Sequence, residues 1–254
     1  MLQYFPRKRL GLSPAVRRLL RPLDLRPDRY SGPIAQIGHR LTLAADRREI
    51  AVDQLLDELQ SAFDETKMAA EFARWADTWP SGDEVDWWLC RRQPLGKSHA
   101  LNMRLQLFYL KPHCSEPPHY HNKMASLQCV VRGHVICRQY DRVARTDENV
   151  LMIRPVSQRK LAAGQTFRMT DHKNNVHWFG TEDEPAVILD FFIEGKGLYE
   201  TSFESDPKRP LGRYYLDPTG KPDADKLIAT RELSTEEAYG RFAAKSITSF
   251  EWHN

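Results

Sequence analysis

Cysteine is scarce and unpatterned in this 254-residue chain: Cys90, Cys114, Cys129 and Cys137 form no Cys-x-x-Cys pair. No disulfide framework is evident, so a reducing, cytoplasmic compartment is the expectation. No apolar run approaches the length of a transmembrane helix, and no signal-peptide h-region is present. Internal repeats and low-complexity tracts are absent too. What remains is a chain with 41% apolar residues, enough to bury a substantial core as one domain with extensions.

Charge is unevenly spread. Residues 1–30 carry eight Lys/Arg (Arg7, Lys8, Arg9, Arg17, Arg18, Arg21, Arg26, Arg29) against Asp24 and Asp28. Such a basic arm can contact nucleic acid, an acidic lipid surface or an acidic partner. It can equally lie over the protein's own acidic surface, and that reading is adopted; nucleic acid and membrane are not expected partners. Its Arg-rich, acid-poor composition is compatible with an organellar transit peptide, against which low Ser content and Pro6, Pro14, Pro22 and Pro27 argue mildly.

Short apolar stretches broken by Gly and charged turns predict strands. They are Leu105–Leu110, Leu127–Val131 and Val135–Tyr140 around Arg132-Gly133-His134, and Val150–Val156, with another approach starting at Gly164. Val176–Gly180 and Ala186–Ile193 are predicted to form a hairpin across Thr181–Pro185. This pattern predicts a small antiparallel barrel or jelly roll. Outside it, Glu49–Trp79 has helical apolar spacing and ends at Pro80-Ser81-Gly82. Ser234-Thr235-Glu236-Glu237 has the form of a capping box before a helix to about Lys245. Pro207–Asp225, rich in Pro, Gly and charge, is expected to be a surface loop.

Chemistry concentrates at His119-Tyr120-His121, which follows Pro117-Pro118. Residues two apart on a strand share a face, so both imidazoles can reach one point. With 9 histidines in the chain, about 0.3 His-x-His pairs arise by chance, so the surroundings must carry the inference. Pro118 favours an extended entry. His177, between Val176 and Trp178, can supply a third nitrogen; His172, in Asp171-His172-Lys173-Asn174, is the rival. Three neutral imidazoles without an acidic partner point to a redox-active metal with open positions.

These residues resemble the cupin superfamily, whose first motif is His-x-His, then Glu, then Gly. His119, His121 and Gly133 match it, Ser126 stands where the metal-binding Glu would be, and His177 fits the second motif. The loss of Glu is similar to the thiol dioxygenase branch, in which three histidines hold iron. Gly133 followed by Tyr140-Asp141, and Asn175-Val176-His177 followed by Pro185-Ala186 and Leu189-Asp190, resemble the cysteamine dioxygenase and plant cysteine oxidase side of that branch. Phe191-Phe192-Ile193-Glu194-Gly195 stands where that side has Pro-Pro-Tyr. The resemblance covers roughly residues 100–195. It implies an Fe(II) cofactor at His119, His121 and His177, and an Asp190 that orients a substrate amine. Cysteine dioxygenase has a cysteine at the place of Ser126, crosslinked to a tyrosine; Ser126 cannot form that thioether.

Other site residues follow from substrate chemistry. A carboxylate-bearing thiol wants a bidentate arginine near the metal, and Arg91, Arg92 and Arg104 precede the His pair. Tyr109, Tyr120 and Tyr140 are outer donor candidates. Arg104, Tyr109 and Asp190 are taken as the catalytic set, beside the metal ligands His119, His121 and His177. The expected fold is mainly β: a cupin double-stranded β-helix (jelly-roll barrel) with helical N- and C-terminal extensions. Residues 1–98 form the basic arm and helical extension, 99–200 the barrel, and 201–254 a loop and helix packed on it. The expected function is oxidation of a small thiol to a sulfinate by O2. Alternatives are a three-His oxygenase cleaving a diketone or aromatic acid, and a non-enzymatic small-molecule sensor.

Overall fold

The computed structural model describes residues 52–65, 88–97, 101–146, 148, 150–171, 173–195 and 212–253, with residues 40 and 43. The basic arm, the predicted helix beyond residue 65 and His172 lie outside these described residues. So do the side chains of Arg91 and Arg92.

Among the described residues eleven antiparallel strands build two sheets, the first nine being β1 (Trp88–Lys97), β2 (Leu101–Leu110), β3 (Ser115–Asn122), β4 (Met124–Arg132), β5 (His134–Arg145), β6 (Leu151–Ala162), β7 (Thr166–Met169), β8 (Val176–Gly180) and β9 (Ala186–Gly195). Two more, β10 (Gly212–Asp217) and β11 (Ile228–Leu233), follow. The first sheet has the order β1-β2-β9-β4-β7; the second closes on itself as β10-β11-β6-β5-β8-β3. From β2 to β9 the chain crosses between sheets at every connection except β5–β6. That two-sheet interleaving is a jelly roll, the arrangement of cupin barrels. The protein is mainly β, with a closed barrel, as its sequence predicts.

The predicted hairpin of Val176–Gly180 with Ala186–Ile193 is not formed. β8 pairs with β3 and β5, whereas β9 pairs with β2 and β4. Alternation of apolar residues reveals a strand but not its partner. The expected loop over Pro207–Asp225 is also corrected: Gly212–Asp217 is β10, pairing with β3 on one side and β11 on the other. Through β10 and β11 the C-terminal segment closes the second sheet into a ring. Tyr120, Tyr140, Leu151, Ile153, Val176, Leu216 and Ile228 pack together on the face of that sheet turned away from the jelly-roll interior.

Gly133 makes the passage from β4 to β5 possible. Its φ is +73°, and a Cβ there would lie 2.2 Å from the Pro185 carbonyl oxygen. A side chain meets both a left-handed backbone penalty and a clash.

Helix α1 (Val52–Glu65) buries Leu55, Leu56, Leu59 and Phe63, spaced to make one face. The capping box at Ser234 is formed with Glu237, beginning helix α2 (Thr235–Ala238). Beyond it the chain widens into a π-type turn over Tyr239–Ala243 and a 3-10 turn over Ile247–Ser249 instead of running on as one α-helix. Phe242 and Phe250 from these turns pack on Trp178, at ring separations of 5.1 and 4.9 Å. Trp178 is thereby core, facing away from the imidazoles.

Candidate metal centre

Pro117 and Pro118 cannot donate to a ladder, and the β3–β8 register breaks between Glu116 and His119. This bulge shifts the phase of the strand by one residue. Glu116 stands opposite Phe179 and His119 opposite His177, so Glu116 turns to the same face as the imidazoles. On the other flank His119 stands opposite Tyr215, and His121 opposite Arg213. One side of the second sheet therefore carries Glu116, His119, His121, His177, Arg213 and Tyr215 together.

The imidazoles of His119, His121 and His177 offer ligand atoms that all lie within 4.8 Å of one another. Their ring centroids are 4.2 to 5.3 Å apart, and all three are buried. His119 Nδ1 lies 2.6 Å from the Pro117 carbonyl oxygen. A carbonyl only accepts, so Nδ1 carries the proton and Nε2 the lone pair. His121 Nδ1 lies 3.2 Å from Met124 Sδ, which has no proton to give, so its Nε2 is likewise the lone-pair atom. His119 Nε2 and both ring nitrogens of His177 have no hydrogen-bond partner. Buried nitrogens left so exposed in energetic terms call for a ligand.

Burial, followed by the charge of Arg213, pushes all three imidazoles down, His177 to about 3. They are neutral near pH 7, the form that binds metal. The donor set fits a divalent ion of the kind that imidazole favours, iron among them. Among the described residues no carboxylate joins the set. Glu116, on the same face of the sheet, is committed elsewhere: it forms a buried ion pair with Arg213 and lies 3.3 Å from the Tyr239 hydroxyl. Burial works against the Arg213 charge, but Glu116, Tyr215 and Tyr239 outweigh it and hold the guanidinium above its ordinary pKa.

The first sheet supplies the opposite wall. Phe192 lies 5.7 Å from His121, ring to ring, which identifies the inward face of β9. Arg104 and Ser126 stand in register with Phe192; Gln106 and Gln128 stand in register with Asp190 two residues away. All of them share that inward face. Gln106 Nε2 donates to Asp190 Oδ2 at 3.1 Å. Ser126 Oγ and Gln128 Oε1 are buried without a hydrogen-bond partner. Arg104 pairs with Glu194, to which Asn102 also donates at 2.8 Å.

The structure thus brings His119, His121 and His177 together and sets Asp190 and Arg104 on the wall across from them. It does not bring Tyr109 there. Tyr109 is one residue out of phase with Phe108 and Gln106, and its side chain leaves the opposite face of β2. Tyr120 is also turned away, donating to Glu232 at 2.8 Å. Tyr140 packs with Tyr120 on that side. Sequence reasoning missed Glu116, Gln106, Gln128, Arg213 and Tyr215. The run Gly212-Arg213-Tyr214-Tyr215-Leu216 is aromatic enough to suggest a strand, but its Pro-, Gly- and charge-rich surroundings mask it.

No protein-family model and no curated protein matches the chain. Solved structures similar to it include an 11S globulin from Wrightia tinctoria, 16% identical, with a TM-score of 0.30 over 37% of this chain and 21% of that one. The chain thus spans about a fifth of that globulin's length. KdgF from Halomonas sp. is 14% identical, TM-score 0.31, over 46% of this chain and 90% of that one. A recombinant oxalate oxidase in complex with glycolate is 15% identical, TM-score 0.35, over 58% and 64%. The fold assignment rests on strand order rather than on these likenesses. The class defined by fold and site is a jelly-roll barrel whose three-histidine group could hold a metal ion.

Proposed function

We propose that this protein is a non-haem iron(II) dioxygenase that oxidises a small thiol to a sulfinate, with O2 as co-substrate, in a reducing cytoplasm. The observation that supports it most is the convergence of three neutral, buried imidazoles with no carboxylate in the set. His119, His121 and His177 would hold the iron(II), which would supply the Lewis acidity and redox chemistry for adding both atoms of O2 to a thiolate sulfur.

The chain's own residues favour this substrate chemistry. Neutral ligands leave a bound cation's charge uncompensated, which favours an anionic sulfur. Asp190, across the barrel, offers an acceptor for a substrate amine. Among the described residues, the two arginines facing the imidazoles or the wall across from them are already paired, Arg104 with Glu194 and Arg213 with Glu116. Neither is uncommitted for a carboxylate beside the imidazoles, whereas Asp190 can accept from an amine, so a thiol that carries an amine fits better than one that carries a carboxylate alone. Phe179 and Phe192 flank His177 and His121 and exclude water from them.

The test is metal analysis of the purified protein, followed by an oxygen electrode across cysteamine, 3-mercaptopropionate, a diketone and an aromatic acid. Expected are near-stoichiometric iron, faster uptake with cysteamine than with 3-mercaptopropionate, and a product heavier by two oxygen atoms. Uptake with carbon acids alone would move the protein to the carbon–carbon-cleaving class. Protein that takes up neither metal nor oxygen would leave a sensor.

A further inference from the structure

β6 and β7, one from each sheet of the jelly roll, flank a seam with no ladder between them. β7 ends its sheet and pairs with β4, whereas β6 pairs with β5 and β11. A seam of this kind leaves a barrel open at its side. Here it is a cleft of about 730 Å³, a size typical of small-molecule sites.

Its walls are charged in a sorted way. Helix α1 lines one side with Asp57 and Asp64; the barrel lines the other with Arg159, Arg168 and Lys173. The ion pair of Asp57 with Arg168 spans the cleft and ties the helix to β7. Both partners are largely solvated, so that tie is weak and its opening costs little.

The inner end of the cleft holds Phe167 and Gln139, and both belong to the barrel interior. Phe167 packs 5.5 Å from Phe179, which lies 5.8 Å from His177. Gln139 stands directly opposite His177 in the β5–β8 register, a neighbour separation of about 5 Å. Its amide is held from the cleft side: Nε2 donates to the Arg168 carbonyl at 2.8 Å, and Arg159 donates to Oε1 at 3.3 Å. Gln139 thus lines the cleft and stands beside His177 on the same face of the sheet.

We infer that this cleft is the route to the imidazole cluster and the seat of the non-reacting, charged part of its ligand, with Gln139 as the gate. Carboxylates on one wall and cations on the other suit a polar molecule carrying both an ammonium and a carboxylate. The ligand's identity as a thiol rests on the function proposed above; the route does not.

Val156 lines the cleft and is 41% exposed, so Val156→Cys can carry a bulky maleimide there. The first readout needs neither metal nor turnover. Metal-free protein is treated with diethyl pyrocarbonate, and modification of His119, His121 and His177 is followed by peptide mass spectrometry. His113, whose side chain is 63% exposed, serves as the internal standard; unlabelled V156C and maleimide-treated wild type are controls. The label should slow modification of the three imidazoles about ten-fold, as expected of a blocked gate, and leave His113 unchanged. Equal rates with and without the label would overturn the route, whatever the enzyme does. Slowed modification in a protein that oxidises no thiol would keep the route and sink the thiol reading.

A second measurement tests the ligand class. Lys173→Glu should raise KM for cysteine about five-fold, the size of an exposed charge contact. KM for 2-mercaptoethanol and kcat for both should stay unchanged. Equal effects on the two thiols would overturn the two-charge requirement.

Discussion

A buried histidine with both nitrogens unpartnered is costly unless something binds it. His177 is fully buried, is the second residue of β8 and is held neutral by burial. Replacing it with Ala removes one of three donors without removing a hydrogen bond seen in the structure. The expected outcome is a loss of metal affinity of at least about 100-fold with an unchanged far-ultraviolet dichroism spectrum. Full metal content in that variant would place the ion elsewhere, with His172 the first residue to examine. The His-x-His spacing made two members of the cluster legible in the sequence, because a strand's period is two whatever surrounds it. Tyr109 shows the limit of that rule. Its distance along the chain from Asp190 says nothing about phase, which β2–β9 pairing alone defines. Glu116 is subtler still, since the Pro117-Pro118 bulge reverses the face that simple counting assigns it.

Strands and turns carry a different kind of information. The Gly133 turn was visible as punctuation, but its work is to lift the chain from one sheet to the other. Gly133→Ala should destabilise the protein by about 2 kcal/mol or more, read as a lowered urea midpoint with an unchanged slope. A loss below a few tenths of a kcal/mol would mean that the Pro185 carbonyl yields easily. The β8–β9 pair misled for a related reason. A short charged turn between two apolar runs looks like a hairpin, yet in a jelly roll that same turn crosses the barrel. β10 and β11 were hidden in a segment whose composition is that of a loop. They are strands because β3 and β6 present open edges to them.

Taken whole, the molecule buries three neutral imidazoles that its unfolded chain would leave free to protonate near pH 6.5. The sign follows from depressed pKa values. Between about 6.5 and about 3, the unfolded chain binds protons that the folded one, with His177 at about 3, refuses. Stability of the metal-free protein should therefore fall as pH falls through this window, by up to about 1.4 kcal/mol per pH unit for each imidazole. Urea midpoints from pH 7 to 4 measure it. His177→Ala should flatten the slope, and a flat wild-type profile would contradict neutral burial. Bound metal should steepen the profile, because protons compete for the same nitrogens.

From residue order alone follow the mainly β character, the two-residue spacing of His119 and His121 and the capping box at Ser234. These depend on local periodicity and side-chain chemistry, which neighbours in the chain determine. The partner of each strand, the wall of Gln106, Gln128 and Asp190, the Glu116–Arg213 pair and the charged seam beside Gln139 were decided by tertiary structure. Each depends on contacts between residues tens to over a hundred positions apart, whose register is set only when the sheets close.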